Sequence, residues 1–193
     1  MDPIAEFRAL YAAAQALDRT QLREPTAMML ATATAEGRPS MRVVLLKEFD
    51  ARGFVFYTNL KSQKARELEA NPRAALLFHW QPLEWQVRVE GPVERVTDAE
   101  ADAYFATRER ESQIGAWASA QSAPLESDDV LDARVRDAEG RYAGRDVPRP
   151  QFWSGVRVVP LRIEFWHNRP HRLHERRLFE RAGDRWTMRR LFP

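Results

Sequence analysis

The sequence predicts a mainly β domain with peripheral helices (α+β), built as an antiparallel barrel with helices packed around it. Three observations carry this. Short runs of β-branched, aromatic and aliphatic residues recur along the chain, most of them joined by turn residues at hairpin spacing. Segments of helical spacing interrupt those runs. No internal repeat, low-complexity stretch or linker divides residues 1–193, so a single domain is expected, with a distinctive C-terminal region at 150–193.

Each element has its own signal. In 2–17 the apolar residues Ile4, Phe7, Leu10, Tyr11 and Ala14 fall on one helical face, with Asp2 and Pro3 suited to N-cap and first-turn positions. Residues 27–34 read as a strand, 36–39 as a turn and 40–49 as a second strand. The Asp50-Ala51-Arg52-Gly53 turn leads into a strand at 54–58. A helix is expected over 62–71, with Lys61 and Lys64 at its start. Cations there oppose the helix dipole, so either an anion binds at the free N–H groups or the lysines are solvated. Strands are expected over 74–80 and 83–96, and Thr97-Asp98-Ala99-Glu100 is a capping box for a helix reaching about 107. Helices at 112–119 and 127–142 precede a proline-containing loop at 147–150, and strands at 156–166, 172–180 and 186–191 complete the chain.

Composition narrows the function. With 44% hydrophobic and 30% charged residues the chain is an ordinary globular protein, and 193 residues suffice for a sizeable core. Net charge is only +2 although the isoelectric point is about 9.2. Basic surface is therefore local, which suits a small phosphorylated ligand better than a long polyanion. The tail 157–193 nevertheless carries ten arginines against four acids, a balance also compatible with a nucleic-acid surface. The absence of cysteine excludes disulfides, thiolate metal sites and thiol nucleophiles, and fits a reducing compartment. Neither a secretory signal nor an apolar run of about 20 residues is visible, so a cytoplasmic location is expected.

The most informative stretch is Ile163 to Arg176, Ile-Glu-Phe-Trp-His-Asn-Arg-Pro-His-Arg-Leu-His-Glu-Arg. Read as an alternating strand, a turn and a returning strand, it places Arg172, His174 and Arg176 on one face beside Trp166. Such a row suits a flat, anionic, aromatic ligand; taken alone, an Arg-His-Arg strand is more often a solvated hairpin face, and a tryptophan more often core than ligand platform. Arg42-Val43-Val44-Leu45-Leu46-Lys47 puts two cations five apart, on opposite faces of an unbroken strand unless a bulge brings them together. Tyr104 and Arg108 are four apart and share a helix face.

The 163–176 stretch closely resembles the C-terminal signature of the FMN-dependent pyridoxine/pyridoxamine 5′-phosphate oxidases. Further matches are Arg42 to Lys47, Tyr57-Thr58, Ser62-Gln63-Lys64-Ala65, Gln86, Arg110-Glu111-Ser112-Gln113-Ile114-Gly115-Ala116-Trp117 and Gln121-Ser122. The resemblance runs from about residue 2 to 193. It implies a split β-barrel of the FMN-binding type, working as a homodimer with two active sites at the subunit interface. It also implies that Arg42, Val43, Val44, Leu45, Leu46, Lys47, Tyr57, Thr58, Ser62, Gln63, Lys64, Gln86, Gln121, Ser122, Trp166 and Arg176 bind FMN. The substrate would lie against Lys47, Tyr104, Arg108, Ser112, Arg172, Leu173 and His174, with Arg172 and His174 holding its ring over the flavin.

The implied reaction is oxidation of pyridoxine or pyridoxamine 5′-phosphate at C4′ to pyridoxal 5′-phosphate, within pyridoxine biosynthesis. Oxygen becomes hydrogen peroxide, and the amine substrate also releases ammonia. Three departures stand out. Gln63 occupies a position where arginine is common, so a phosphate contact falls to another residue, with Arg42 the candidate. Glu175 stands where Asp or Asn is usual, and the chain begins after the N-terminal arm that family members often carry. A split-barrel flavin reductase would keep the flavin elements but lack Arg172, His174 and the Tyr104-Arg108-Ser112 set; a non-catalytic flavin- or pyridoxal-phosphate-binding protein would bind without turnover. No metal site, nucleic-acid partner or membrane partner is expected.

Overall fold

Helix α1 (Pro3–Gln15) opens the chain and buries one face, Ile4, Phe7 and Ala14, against the core. Asp2 caps the helix by accepting from the Ile4 N–H at 2.9 Å, and Phe7 is fully buried. Its ring sits 4.8–4.9 Å from those of Phe49, Phe54 and Phe78. Burying such rings is worth a few kcal/mol each, so α1 seals the end of the core. The computed structural model describes residues 2–193.

The strands are β1 (Ala27–Ala33), β2 (Pro39–Leu45), β3 (Glu48–Asp50), β4 (Gly53–Asn59), β5 (Arg73–Trp80), β6 (Trp85–Arg95), β7 (Trp153–Val158), β8 (Arg162–His167), β9 (Glu175–Ala182) and β10 (Arg185–Leu191). All pair antiparallel, in the order β10-β9-β8-β6-β5-β1-β2, with β3-β4-β7 joined to the far half of β6. On one edge, β6 pairs with β8 over 85–90 and with β7 over 93–95. The change of partner falls at Gly91-Pro92. A Cβ on Gly91 would lie 1.9 Å from the Val159 carbonyl oxygen, so only glycine permits this crossing. The helices α2 (Gln63–Ala70), α3 (Asp98–Ala106), α4 (Arg110–Ala118) and α5 (Asp128–Arg141) pack outside the sheet. The capping box at Thr97 and Glu100 forms as the sequence predicts.

Three elements differ from the sequence reading. The expected 40–49 strand divides, because Leu46 N–H donates to Thr26 O while Lys47 N–H donates to Val55 O. The backbone thus changes partner between these two residues. The expected 156–166 strand also divides. Pro160, which has no N–H to give, sits between Val159 bonded to Pro92 and Leu161 bonded to Glu90. Finally, the expected 172–180 strand begins only at Glu175, which pairs with His167. Pro170–Arg172 forms a tight turn with φ of +59° at His171 and +61° at Arg172.

Candidate functional site

Two adjoining cavities of about 600 and 560 Å³ lie between β2, β4, α2, α3 and α4; both are lined by Leu45, Lys47, Tyr57, Thr58 and Gln121. The larger extends to Tyr104, Arg108, Ser112 and Trp153. The smaller extends to Arg42, Val43, Val44, Gln63, Lys64 and Ser122. Fourteen of the site residues singled out in the sequence thereby converge, joined by Trp153. The partner change at Leu46 and Lys47 explains how Arg42 and Lys47 reach one cavity although an unbroken strand would oppose them. Leu46 itself points into the core and Ser62 is fully buried, so neither lines the space.

The smaller cavity ends in a polar pole at the start of α2. Ser62 caps the helix, and Lys64 Nζ donates to Thr58 Oγ1 at 3.3 Å, Ser62 Oγ at 3.4 Å and Gln121 Oε1 at 3.1 Å. Burial, reinforced by the charge of Arg42, pushes the Lys64 ammonium below its ordinary value. Arg42 is held differently. Its Nη1 donates to Leu30 O and Thr32 Oγ1, and its Nη2 to Ser40 Oγ and Glu67. Glu67, which the sequence reading passed over, is buried and accepts from Thr32, Ser40, Arg42 and Gln63. Burial opposes its ionisation, but these donors and the Arg42 charge outweigh it and hold the carboxyl at about 2. Hydroxyl residues on β1 and β2 within reach of a helix carboxylate were the available signal.

The larger cavity ends at Arg108, just past α3. Its Nη1 is buried with no hydrogen-bond partner among the described residues. Tyr104 stacks on Tyr57 with ring centroids 4.0 Å apart, and Tyr57 stacks on Trp153 at 5.1 Å. Gly155 makes room for this column, since a Cβ there would sit 2.8 Å from the Tyr57 ring. Burial, together with the Glu48 carboxylate that accepts from the Tyr57 hydroxyl at 3.1 Å, pushes that phenol up. Trp153 is the second residue the sequence reading missed. Among the described residues, Lys47, Lys64 and Arg108 form no ion pair, whereas arginines around them, such as Arg42, Arg149 and Arg157, do. Cations left unpaired around a cavity are free to meet an anion.

The remaining predicted residues lie elsewhere. Gln86, Trp166 and Arg176 are directly opposite one another on β6, β8 and β9. They form a row across the sheet, outside the lining of both cavities. Arg176 Nε donates to Glu164 at 2.7 Å and Nη1 to Phe192 O at 3.1 Å. His174 packs on Trp166, with ring centroids 4.4 Å apart. Arg172, Leu173 and His174 belong to the turn and the residues that follow it, so the expected single-strand face of Arg172, His174 and Arg176 does not form. The positive φ at His171 and Arg172 reverses the chain there, and backbone in that region is strained for non-glycine residues by roughly 1–3 kcal/mol each. Beside the cavities, β2 is an edge strand that exposes Met41, Val43 and Leu45 by 69%, 62% and 36%.

Comparison with known proteins agrees with this geometry. The family described as pyridoxamine 5′-phosphate oxidase matches residues 15–142. A second, described as the pyridoxine 5′-phosphate oxidase C-terminal dimerisation region, matches residues 153–193. A pyridoxine/pyridoxamine 5′-phosphate oxidase of Myxococcus xanthus (strain DK1622) is 58% identical, covering 100% of this chain and 92% of the relative. The enzyme of that name from Rubrobacter xylanophilus is also 58% identical, over 100% and 87%. Among solved structures, PhzG from Burkholderia lata 383, in complex with tetrahydrophenazine-1-carboxylic acid, is 33% identical. It superposes with a TM-score of 0.92 over 100% of this chain and 93% of its own. A pyridoxamine 5′-phosphate oxidase-related, FMN-binding protein of Nostoc punctiforme shares the fold at a TM-score of 0.78 and 15% identity. Full-length identity at this level, on a matching split-barrel fold, places the chain in the pyridoxamine 5′-phosphate oxidase family.

Proposed function

We propose that this protein is an FMN-dependent oxidase that converts pyridoxine 5′-phosphate and pyridoxamine 5′-phosphate to pyridoxal 5′-phosphate, acting in the cytoplasm. The observation that carries the reading is a cavity with an unpaired cationic pole at each end. Lys64, with Thr58 and the first turn of α2 that the buried Ser62 caps, suits the phosphate of FMN. Arg108 and Lys47, with Tyr104 and Ser112, suit the substrate phosphate. The donor set fits a flavin between them: the Arg42–Lys47 backbone flanks the ring, and Gln121 and Ser122 close the side. Arg42 is bound up by Glu67, so the contact that Gln63 lacks falls to Lys64 and the helix N–H groups. This revises the role expected of Arg42.

The row of Gln86, Trp166 and Arg176 completes the site from a second copy of the chain. The exposed Met41, Val43 and Leu45 beside the cavity would be covered in such a homodimer. The match of residues 153–193 to a dimerisation region supports the same arrangement. Gln86, Trp166 and Arg176 of the second copy would then face the flavin, and its Arg172, Leu173 and His174 the pyridine ring. A two-fold dimer contains two such sites.

Bound FMN would supply the redox chemistry, taking a hydride equivalent from C4′ and passing the electrons to oxygen as hydrogen peroxide. This chain's residues orient and exclude. The two phosphate poles fix the ends of the ligands, and Arg172 and His174 press the pyridine ring into position. Such positioning accounts for a large part of the rate in bound, oriented reactions. Among the described residues, none stands in an evident general-base position. With the amine substrate, water enters and ammonia leaves.

A peroxide-release assay with each phosphorylated vitamer tests the reading. Yellow protein that makes peroxide and pyridoxal 5′-phosphate is the expected result. Protein that gains no flavin band on adding FMN, or that holds FMN but makes no peroxide, would overturn it.

A further inference from the structure

Arg108 is held in an unusual way for a half-buried arginine. No carboxylate pairs with it among the described residues, and its Nη1 is buried without a partner. Instead its guanidinium lies over aromatic faces, with Cζ 4.8 Å from the Trp153 ring centroid and 5.6 Å from that of Phe105. Trp153 is 7% exposed, and its ring runs nearly parallel to that of Tyr104, at 4° and 6.2 Å. An aromatic face attracts a cation without occupying its N–H donors. A carboxylate in the same place would neutralise the charge and take the donors.

Trp153 is in turn fixed to the helix that leads into Arg108. Arg149, whose side chain is 9% exposed, donates from Nη1 to the Trp153 carbonyl at 2.8 Å. Its Nε and Nη2 donate to Asp102 at 2.6 Å and Asp98 at 2.9 Å, both on α3. One guanidinium therefore ties the start of β7 to α3, and the separation between Trp153 and Arg108 follows from that tie.

We propose that Trp153 is a positioning residue for phosphate recognition: its ring holds Arg108 unpaired and aimed into the cavity, with Arg149 setting its distance from α3, and so determines the preference for phosphorylated over unphosphorylated vitamers. This rests on the function proposed above, since it assigns the larger cavity's cationic pole to the substrate phosphate.

The test is equilibrium binding to the flavin-loaded protein, titrated with pyridoxal 5′-phosphate and separately with pyridoxal, for wild type, Trp153→Leu, Trp153→Phe and Arg149→Gln. The cation–π contact that holds Arg108 is lost in Trp153→Leu, which should weaken the phosphorylated ligand roughly tenfold. Pyridoxal binding should change less than about twofold, because the lost contact acts only through the phosphate. Trp153→Phe should recover most of the loss, and Arg149→Gln should act in the same direction more weakly. A merely structural tryptophan would weaken both ligands alike or alter flavin content, and that result overturns the proposal. If Trp153→Leu does not fold, an unchanged ratio of the two affinities in both Trp153→Phe and Arg149→Gln overturns it as well. Loss of phosphate selectivity in a protein whose wild type makes no peroxide would sink the oxidase function and leave the role of Trp153 standing.

Discussion

The cavity and the row of Gln86, Trp166 and Arg176 carry residues of the same chemical types, yet they are built in opposite ways. The cavity is concave and pre-assembled. Its walls come from β2, β4, α2, α3 and α4, Lys47, Lys64 and Arg108 lack acidic partners among the described residues, and buried networks such as the one around Glu67 and Arg42 hold its parts. The row is spread over an open sheet surface. Its arginine is already paired with Glu164, and its neighbours Arg172 and Leu173 are solvent-exposed on a strained turn. A concave site can select a ligand by itself, whereas a half-buried row on a sheet face becomes selective only when something is laid against it. The same protomer thus presents a pocket and a cover, and the proposed dimer brings one copy's cover onto the other's pocket.

The largest effect should come from the cover. Arg172→Ala should lower kcat/KM about a hundredfold, because displacing a reacting ring by about 1 Å costs on that order. FMN affinity should stay near wild type. Arg172→Lys should recover little, since an ammonium lacks the planar fork of the guanidinium. Steady-state kinetics with flavin occupancy read by absorbance decide this; wild-type turnover in Arg172→Ala would make the turn an ordinary surface loop.

Mixing sharpens the comparison further. Arg108→Ala damages the pocket and Arg172→Ala the cover, so a hybrid dimer retains one undamaged site built from the good half of each copy. Unfolding and refolding the two variants together should restore about a quarter of wild-type activity, given random pairing in a two-fold dimer. If the mixture is no more active than the sum of its parents, pocket and cover belong to the same copy.

Within the pocket, the two poles should separate. Lys64→Ala should weaken FMN by roughly ten- to a hundredfold, the loss of one charged hydrogen-bonding group of about 1.5–3 kcal/mol. Arg108→Ala should leave the flavin bound and raise KM for the phosphorylated substrate. Fluorescence titration of FMN against both variants checks it, and loss of flavin from Arg108→Ala would mean that the poles are assigned the wrong way round.

The smallest effect concerns the network behind the pocket. Glu67 is held at about 2, below the ordinary 4.5, so its stabilising contribution is complete above about pH 4.5 and declines as pH falls towards 2. Denaturant unfolding at pH 7 and pH 3 should therefore show a smaller loss of stability on acidification in Glu67→Gln than in wild type. Equal losses in the two proteins would show that the carboxylate contributes little to the acid limb.

Much of this protein was legible in one dimension. Helix α1 with its Asp2 cap, the Thr97–Glu100 capping box and most strands follow from periodicity and turn residues, which act over a few neighbouring positions. The cations and hydroxyls that line the two cavities were legible as residue types too, since a cation beside hydroxyls is a local pattern. Three things were not. The partner change at Leu46 and Lys47, and the break at Pro160, depend on which strand lies alongside. The turn at His171 and Arg172 replaces an apparently continuous alternation, because alternation in sequence records side-chain chemistry and not the sign of φ. Glu67 and Trp153 could be recognised only once residues 35 apart, Thr32 and Glu67, and residues on α3 and β7 had met. Local chemistry specifies elements and donor types; which donors stay unpaired, and where they point, is decided by long-range packing, because burial and pairing are properties of neighbours that the chain brings together only on folding.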